Sequence, residues 1–272
     1  MSKLLNGKTS RLQPGRQLLY QHVNTTTTVN TNVLRLFTTS SPDAINYSAC
    51  ICILLDNVEA HTKSVLTNIS ILQNLFSKTF FVFVINANNK ISEITFSKIN
   101  HSIVIQTYET EEYKQRNLYL KFLHENKTLF DLMVVIDPLT CLITPLNPNV
   151  FSFLKSDLKF SACFANQSYK YYDIENLVDD TRSVYLIPDE SEKKQQIRFL
   201  QKHIHKESGN IPVKSAFGGF AIYKTAYLES DNRYTTDNHI TFNLKVNIRD
   251  ANMFIVSSFI IETSPEMASL YL

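Results

Sequence analysis

The sequence predicts an α/β protein: a mostly parallel central sheet with helices on both faces, in a single domain. Three observations carry this. Short continuous apolar runs rich in Val, Ile and Phe recur at 49–55, 80–85 and 132–136, and strands buried on both faces read this way. Segments with helical spacing of apolar residues alternate with them, the pattern of a sheet covered by helices. At 272 residues and 44% hydrophobic content the chain has the material for one sizeable core.

Residues 1–47 read as an N-terminal extension or linker, basic at the start and then almost only Thr and Asn over 24–32. Such a stretch buries too little apolar surface to offset the entropy of ordering it, although 33–37 is able to dock as an edge strand. The domain is expected over 48–272. Its first strand, 49–55, closes in Asp56-Asn57, and the next segment places Val65, Leu66, Ile69, Leu72 and Phe76 on one helical stripe. Residues 80–85 and 103–106 are the next strands. Residues 109–124 form a helix whose acidic first turn suits the positive N-terminal dipole, and 132–136 a fourth strand. Asp56, Asn86 and Asp137 fall at carboxyl ends of strands, where open α/β sheets bind ligands.

Beyond Asp137 the order loosens, because Pro138, Pro145 and Pro148 interrupt regular structure. A short helix is expected at 150–154, a strand at 160–164, and a polar surface helix at 189–206 with Ile197, Leu200 and Ile204 as its stripe. On such a helix His203 and His205 point to different sides and cannot share a metal.

With 27 basic and 25 acidic residues the net charge is +2, which argues against a nucleic-acid binder driven by phosphate charge. No apolar run approaches the ~20 residues that span a bilayer, and the first residues lack a signal-peptide core. The expectation is a soluble cytoplasmic protein without a membrane span, in the host cytoplasm if viral. Cys50, Cys52, Cys141 and Cys163 are too few and too irregularly spaced for a disulfide framework or zinc site, and read as reduced core residues.

Several residues carry chemistry. Asp137 ends an apolar strand, where its carboxylate either faces a ligand or opens a turn with Pro138. Asn166, Tyr172 and Asp173 make a polar, aromatic loop; aromatic faces pack on sugar C–H surfaces while amides and carboxylates bond hydroxyls, or the loop simply packs on the domain edge. Gly218 and Gly219, two of only five glycines, interrupt an apolar β-forming run at 212–223. Glycine there marks a kinked core strand or a place where a ligand comes close to backbone.

Four segments in order resemble a family of GT-A-type sugar transferases that includes capsule-type mannosyltransferases and relatives in large viruses, across roughly 48–260. Arg116-Asn117-Leu118-Tyr119-Leu120 is similar to the family's Arg-Asn-x-Tyr-Leu helix, and 131–137 to the strand delivering its Asp-x-Asp. Asn166 followed by Tyr171-Tyr172-Asp173-Ile174 is similar to Ala-Asn followed by Tyr-Tyr-Asp-Ile. Phe217-Gly218-Gly219 followed by Asn238-His239-Ile240-Thr241-Phe242-Asn243 is similar to Phe-Gly-Gly and Glu-His-x-x-Phe-Asn.

The resemblance implies a GT-A-like fold and a glycosyltransferase that moves a sugar from a nucleotide-sugar donor to a glycan or glycoprotein acceptor. It implies catalytic carboxylates at Asp137 and Asp173, with Asp237 the nearby substitute for the family's Glu, and donor contacts from Arg116, Asn117 and Asp137; Asp56 and Asn57 join the donor contacts by their place at the end of the first strand. Substrate contacts fall to Asn166, Tyr172, Asp173, Phe217, Gly218 and Gly219, and metal ligation to Asp137 and His239. The chain departs from the family at the chemistry, reading Asp137-Pro138-Leu139 for Asp-x-Asp and Asn238 for the Glu before His239. Leu139 offers no oxygen to Mn²⁺ or Mg²⁺, so metal binding is expected to be weak or absent without nucleotide. A catalytically silent relative that binds a glycan or a partner protein is the alternative.

Overall fold

In a computed structural model the described residues are 20–22, 36–39, 41–88, 95–96, 98–171, 173–180, 183–247 and 252–263. Ten strands make one sheet: β1 (Tyr20–His22), β2 (Phe37–Thr38), β3 (Ile45–Leu55), β4 (Phe76–Asn86), β5 (Ser102–Thr107), β6 (Leu132–Ile136), β7 (Ala162–Gln167), β8 (Asn210–Pro212), β9 (Phe220–Lys224) and β10 (Met253–Ile261). Their order is β1-β5-β4-β3-β6-β9-β7-β10-β8, with β2 pairing with β4. The strands β1, β5, β4, β3, β6, β7 and β10 run one way; β2, β8 and β9 run the other. The sheet is therefore mostly parallel, as the apolar runs imply.

Alternate residues of β3 enter opposite cores. Ala49, Ile51, Ile53 and Leu55 pack with Val65, Ile69 and Leu72 of α1 (Thr62–Leu75). Cys50 and Cys52 face the other side, with Tyr119, Leu120, Phe122 and Leu123 of α2 (Glu112–Glu125). The period-two geometry of a strand thus gives one helical layer on each face. All four cysteines are free and buried.

The strand pairing reaches back into the segment read as an extension. Phe37 pairs with Thr79, and β3 begins at Ile45, whose side chain is buried. Three elements differ from the expected ones. Phe76 is the first residue of β4, because α1 ends at Leu75 and Phe76 turns extended, φ −104° and ψ 156°. The helix expected at 189–206 is shorter, α4 (Glu190–Leu200). Past it, Tyr171 N–H donates to Lys202 O and the Asn166 amide donates to Ile204 O, both at 2.9 Å, which holds the chain out of helical form. His203 and His205 consequently lie on non-helical chain with ring centroids 4.6 Å apart, so their separation to different sides is corrected. Gly218 and Gly219 are not inside a strand but form a turn just ahead of β9, with φ +64° and +80°.

The sheet reverses its direction of growth at β3, which lies between β4 and β6. Asp56 follows β3 and Asp137 follows β6, two strands in parallel register with Ile53 opposite Ile136. That crevice is where open parallel sheets place ligands. Among the described residues no helix is long and apolar enough to cross a membrane.

Candidate functional site

Asp137 leaves β6 as the N-cap of α3 (Pro138–Cys141), with Pro138 at the first helical position. One carboxylate oxygen accepts from Leu139 N–H at 3.0 Å and Thr140 N–H at 3.4 Å; the other accepts from the Thr140 hydroxyl at 2.6 Å. The turn-opening role open to this residue is realised, and both oxygens serve it. Asp137 N–H donates in turn to Gly219 O at 2.8 Å, which ties the end of β6 to the glycine turn.

Both glycines are required by that turn. A Cβ at Gly218 would lie 2.3 Å from Ala165 O, and one at Gly219 would lie 2.4 Å from Thr140 Cγ2 and 2.9 Å from Cys141 Sγ. The room their missing side chains leave is filled by protein. Gly218 N–H donates to Asp173 Oδ2 at 2.8 Å. Asp173 is partly exposed, and its other oxygen accepts from the Asn176 amide at 2.8 Å. Burial pushes the Asp173 carboxyl up to about 6 against these two hydrogen bonds, with Glu175 and Asp137 adding repulsion. Burial also raises the neighbouring Cys141 thiol, helped by Asp137 and Asp173, so that sulfur is inert.

Asn176 connects this carboxylate to His239. Its oxygen accepts the backbone N–H of His239 at 2.7 Å while its amide holds Asp173. The His239 ring stacks on Phe217, centroids 3.6 Å apart, and its Nδ1 lies 3.1 Å from the Tyr234 hydroxyl. Burial holds His239 well below the ordinary histidine value, and Arg116 pushes the same way, so the ring is neutral near pH 7. With Tyr234 donating to Nδ1 the proton sits on Nε2, a buried donor without a partner among the described residues.

Arg116 and Asn117 act on the loop carrying Tyr234. Asn117 donates to Tyr234 O and accepts from Tyr234 N–H, each at 2.9 Å. Arg116 lies over the Tyr234 ring at 5.5 Å, donates to Asp237 O, and pairs with Glu112 at 2.6 Å. Asp237 is exposed, and its carboxylate accepts Tyr113 N–H at 2.9 Å, which caps α2 from a distant loop. Burial pushes the Glu112 carboxyl above its ordinary range against the Arg116 charge, and repulsion from Asp137, Asp237 and Asp56 pushes it further.

The structure thus gathers Asp56, Arg116, Asp137, Asp173, Asp237, Phe217, Gly218, Gly219 and His239 at one end of the sheet. Asn57 lies just past β3 with φ +53°. Asn166 has another job: buried, it donates to Ile204 O and Ser257 O and accepts Gln167 N–H, fixing β7 to its neighbours. Tyr172 lies outside the described residues. Asn238 accepts Ile240 N–H at the start of α5 (Ile240–Asn247). Sequence reasoning missed Asn176 and Tyr234, whose links to His239 and Asn117 span 63 and 117 residues and exist only in the fold, and Glu112, whose i,i+4 spacing to Arg116 was a signal in the sequence.

These donors do not fit a resident divalent ion. Asp137 is committed to α3, Leu139 supplies no oxygen, and among the described residues no three His, Cys, Asp or Glu side chains converge on a metal-sized position.

No protein-family model matches the chain, and no curated protein sequence matches it. Solved structures do. The mannosyltransferase PcManGT from Pyrobaculum calidifontis, solved with GDP-Man and Mn2+, is 11% identical with a TM-score of 0.53, over 83% of this chain and 59% of that one. Glucosyl-3-phosphoglycerate synthase from Mycobacterium tuberculosis is 13% identical with a TM-score of 0.47, over 88% and 83%. TarS 1–349 of S. aureus is 13% identical with a TM-score of 0.45, over 82% and 63%. The chain has a GT-A-like fold. It spans about 59% of the length of the Pyrobaculum enzyme, and at these identities the likeness concerns fold alone.

Proposed function

We propose that the chain transfers a sugar from a nucleotide-sugar donor to a glycan or protein acceptor, with Asp173 as the general base. The observation that carries this reading is the Asp173–Asn176–His239 link at the carboxyl ends of the strands. It ties a partly exposed carboxylate, which titrates near 6, to the backbone N–H of His239, the residue whose buried neutral imidazole has an uncommitted donor. A base that titrates just below the operating pH is matched to take a hydroxyl proton.

In this reading the acceptor hydroxyl gives its proton to Asp173 as its oxygen bonds to the anomeric carbon. The bond from that carbon to the diphosphate oxygen breaks, and the diphosphate leaves with the electron pair. The developing charge is met by the nearby Arg116 guanidinium, and by His239 Nε2–H once the bound donor uncovers it, because that nitrogen is buried in the unliganded chain. Asp56 and Asn57, past β3, are assigned to the nucleoside. Asp137 acts through α3 as a positioning residue, holding Thr140 and Cys141 against the glycine turn.

The alternative is a silent relative that binds a glycan or protein, and the commitment of Asp137 to helix capping favours it. Donor turnover separates the two. With UDP- and GDP-sugars and a mixed glycan acceptor pool, a transferase releases nucleoside diphosphate in wild type and about 10²–10⁴-fold more slowly in Asp173→Asn. Donor binding with no release in wild type would leave the silent reading standing.

A further inference from the structure

The carboxyl end of β7 carries a surface that the donor site does not use. Tyr169 and Phe199 are large rings with 59% and 69% of their surface exposed. Lys170 lies 5.8 Å from the Tyr169 ring centroid and Lys202 lies 5.4 Å from that of Phe199. The two ring–cation pairs are stitched together, because Tyr171 N–H donates to Lys202 O at 2.9 Å. One strip therefore joins the turn after β7 to the chain leaving α4.

Residues 189–207 hold five Lys and Arg side chains and, toward the two ends, Asp189, Glu190, Glu192 and Glu207, so the cations are concentrated between Lys193 and Lys206. Lys193 pairs with Glu175 and Lys206 with Glu207, but among the described residues no carboxylate lies within ion-pair distance of Lys170, Arg198 or Lys202. The strip also leads to the base. The Tyr171 hydroxyl accepts Phe217 N–H at 3.4 Å, and two residues on, Asp173 accepts Gly218 N–H.

We propose that this strip is the acceptor platform and takes an anionic saccharide chain; the assignment of it to an acceptor rests on the transfer reading above. Exposed rings pack on the C–H faces of pyranose units, and unpaired cations beside them meet carboxylates spaced along such a chain. A single-stranded nucleic acid would also stack and pair. The near-neutral balance of the whole chain and the continuity with Asp173 favour the saccharide.

Three octamers test it on the full chain by calorimetry: oligogalacturonate, neutral maltooctaose and oligo-dT. Oligogalacturonate is expected to bind at least tenfold tighter than the other two, and to lose at least tenfold in both Lys170→Gln/Lys202→Gln and Phe199→Ser. Equal binding of maltooctaose, tighter binding of oligo-dT, or no binding by any octamer would overturn the proposal, as would unchanged affinity in both variants. Nucleotide-sugar binding, measured separately by thermal shift, is expected to be the same in these variants as in wild type. Donor binding without oligogalacturonate binding sinks the platform alone; oligogalacturonate binding without donor binding sinks the transfer reading and leaves an anionic-saccharide site.

Discussion

Asp173 and His239 titrate in opposite senses, and that makes their roles separable. The Asp173 carboxyl is raised to about 6 from an ordinary 3.8, so the native state holds its proton more tightly than the unfolded chain. Its stability contribution is full below about pH 4 and lost as pH rises through about 6, worth roughly 1–3 kcal/mol. His239 is depressed, so its contribution is present above the ordinary 6.5 and lost as pH falls below it. Urea unfolding from pH 4 to 7.5 is expected to give Asp173→Asn a stability gain over wild type that grows with pH, and His239→Gln a shallower loss on acidification. A flat difference for Asp173→Asn would remove the raised carboxyl from the account. The pH–rate profile should rise through about 6 in wild type, and Asn176→Ala should move that limb upward, since the Asn176 hydrogen bond lowers the Asp173 value. The glycine turn gives a second expectation at this scale: Gly219→Ala should cost about 2 kcal/mol or more, because its φ is +80° and its Cβ would collide with Thr140. The pair of glycines was visible in the sequence, and the reason for it was not. An apolar run with two glycines reads equally as a ligand cleft and as a tight turn under packed side chains, and only the positions of Thr140 and Ala165 decide.

The helix α2 is capped by distant chain. Its own N-cap, Glu111, makes no side-chain cap, and Asp237 supplies one across 124 residues. Asp237→Ala is therefore expected to cost about 1 kcal/mol by denaturant unfolding. Asn117→Ala, which frees both backbone groups of Tyr234, should cost about 1–3 kcal/mol and raise amide exchange over 232–239. Exchange confined to the ends of α2 would contradict the clamp. The strands were legible because residues buried on both faces must be apolar throughout. The overextended helix at 189–206 was not, since Ile197, Leu200 and Ile204 keep a helical period while Tyr171 and Asn166 pull the chain out at Lys202 and Ile204. Propensity yields there to two tertiary hydrogen bonds.

For the whole molecule, the GT-A-like sheet sets the site before any catalytic side chain does. Strand order reverses at β3, and the chain leaving β6 and β7 meets the chain entering β9 and α5 through the Asp137–Gly219, Asp173–Gly218 and Asn176–His239 hydrogen bonds. What the sequence left open was whether that crevice still binds a donor once Leu139 and Asn238 stand where oxygen ligands and a carboxylate are expected. On the present account His239, Arg116 and Asp173 suffice, and calorimetry of the nucleotide-free chain with Mn²⁺ should detect weak binding at most, gaining when Leu139→Asp is introduced. The central claim is donor binding without a preformed metal site. Thermal unfolding against a panel of UDP- and GDP-sugars, with chelator present, tests it most directly. A ligand at 100 times its dissociation constant adds about 2.7 kcal/mol, which for a chain of this size is a rise on the order of 5–10 °C in Tm. At least one nucleotide sugar is expected to give such a rise, lost in His239→Ala; no rise for any of them at millimolar concentration would contradict donor binding.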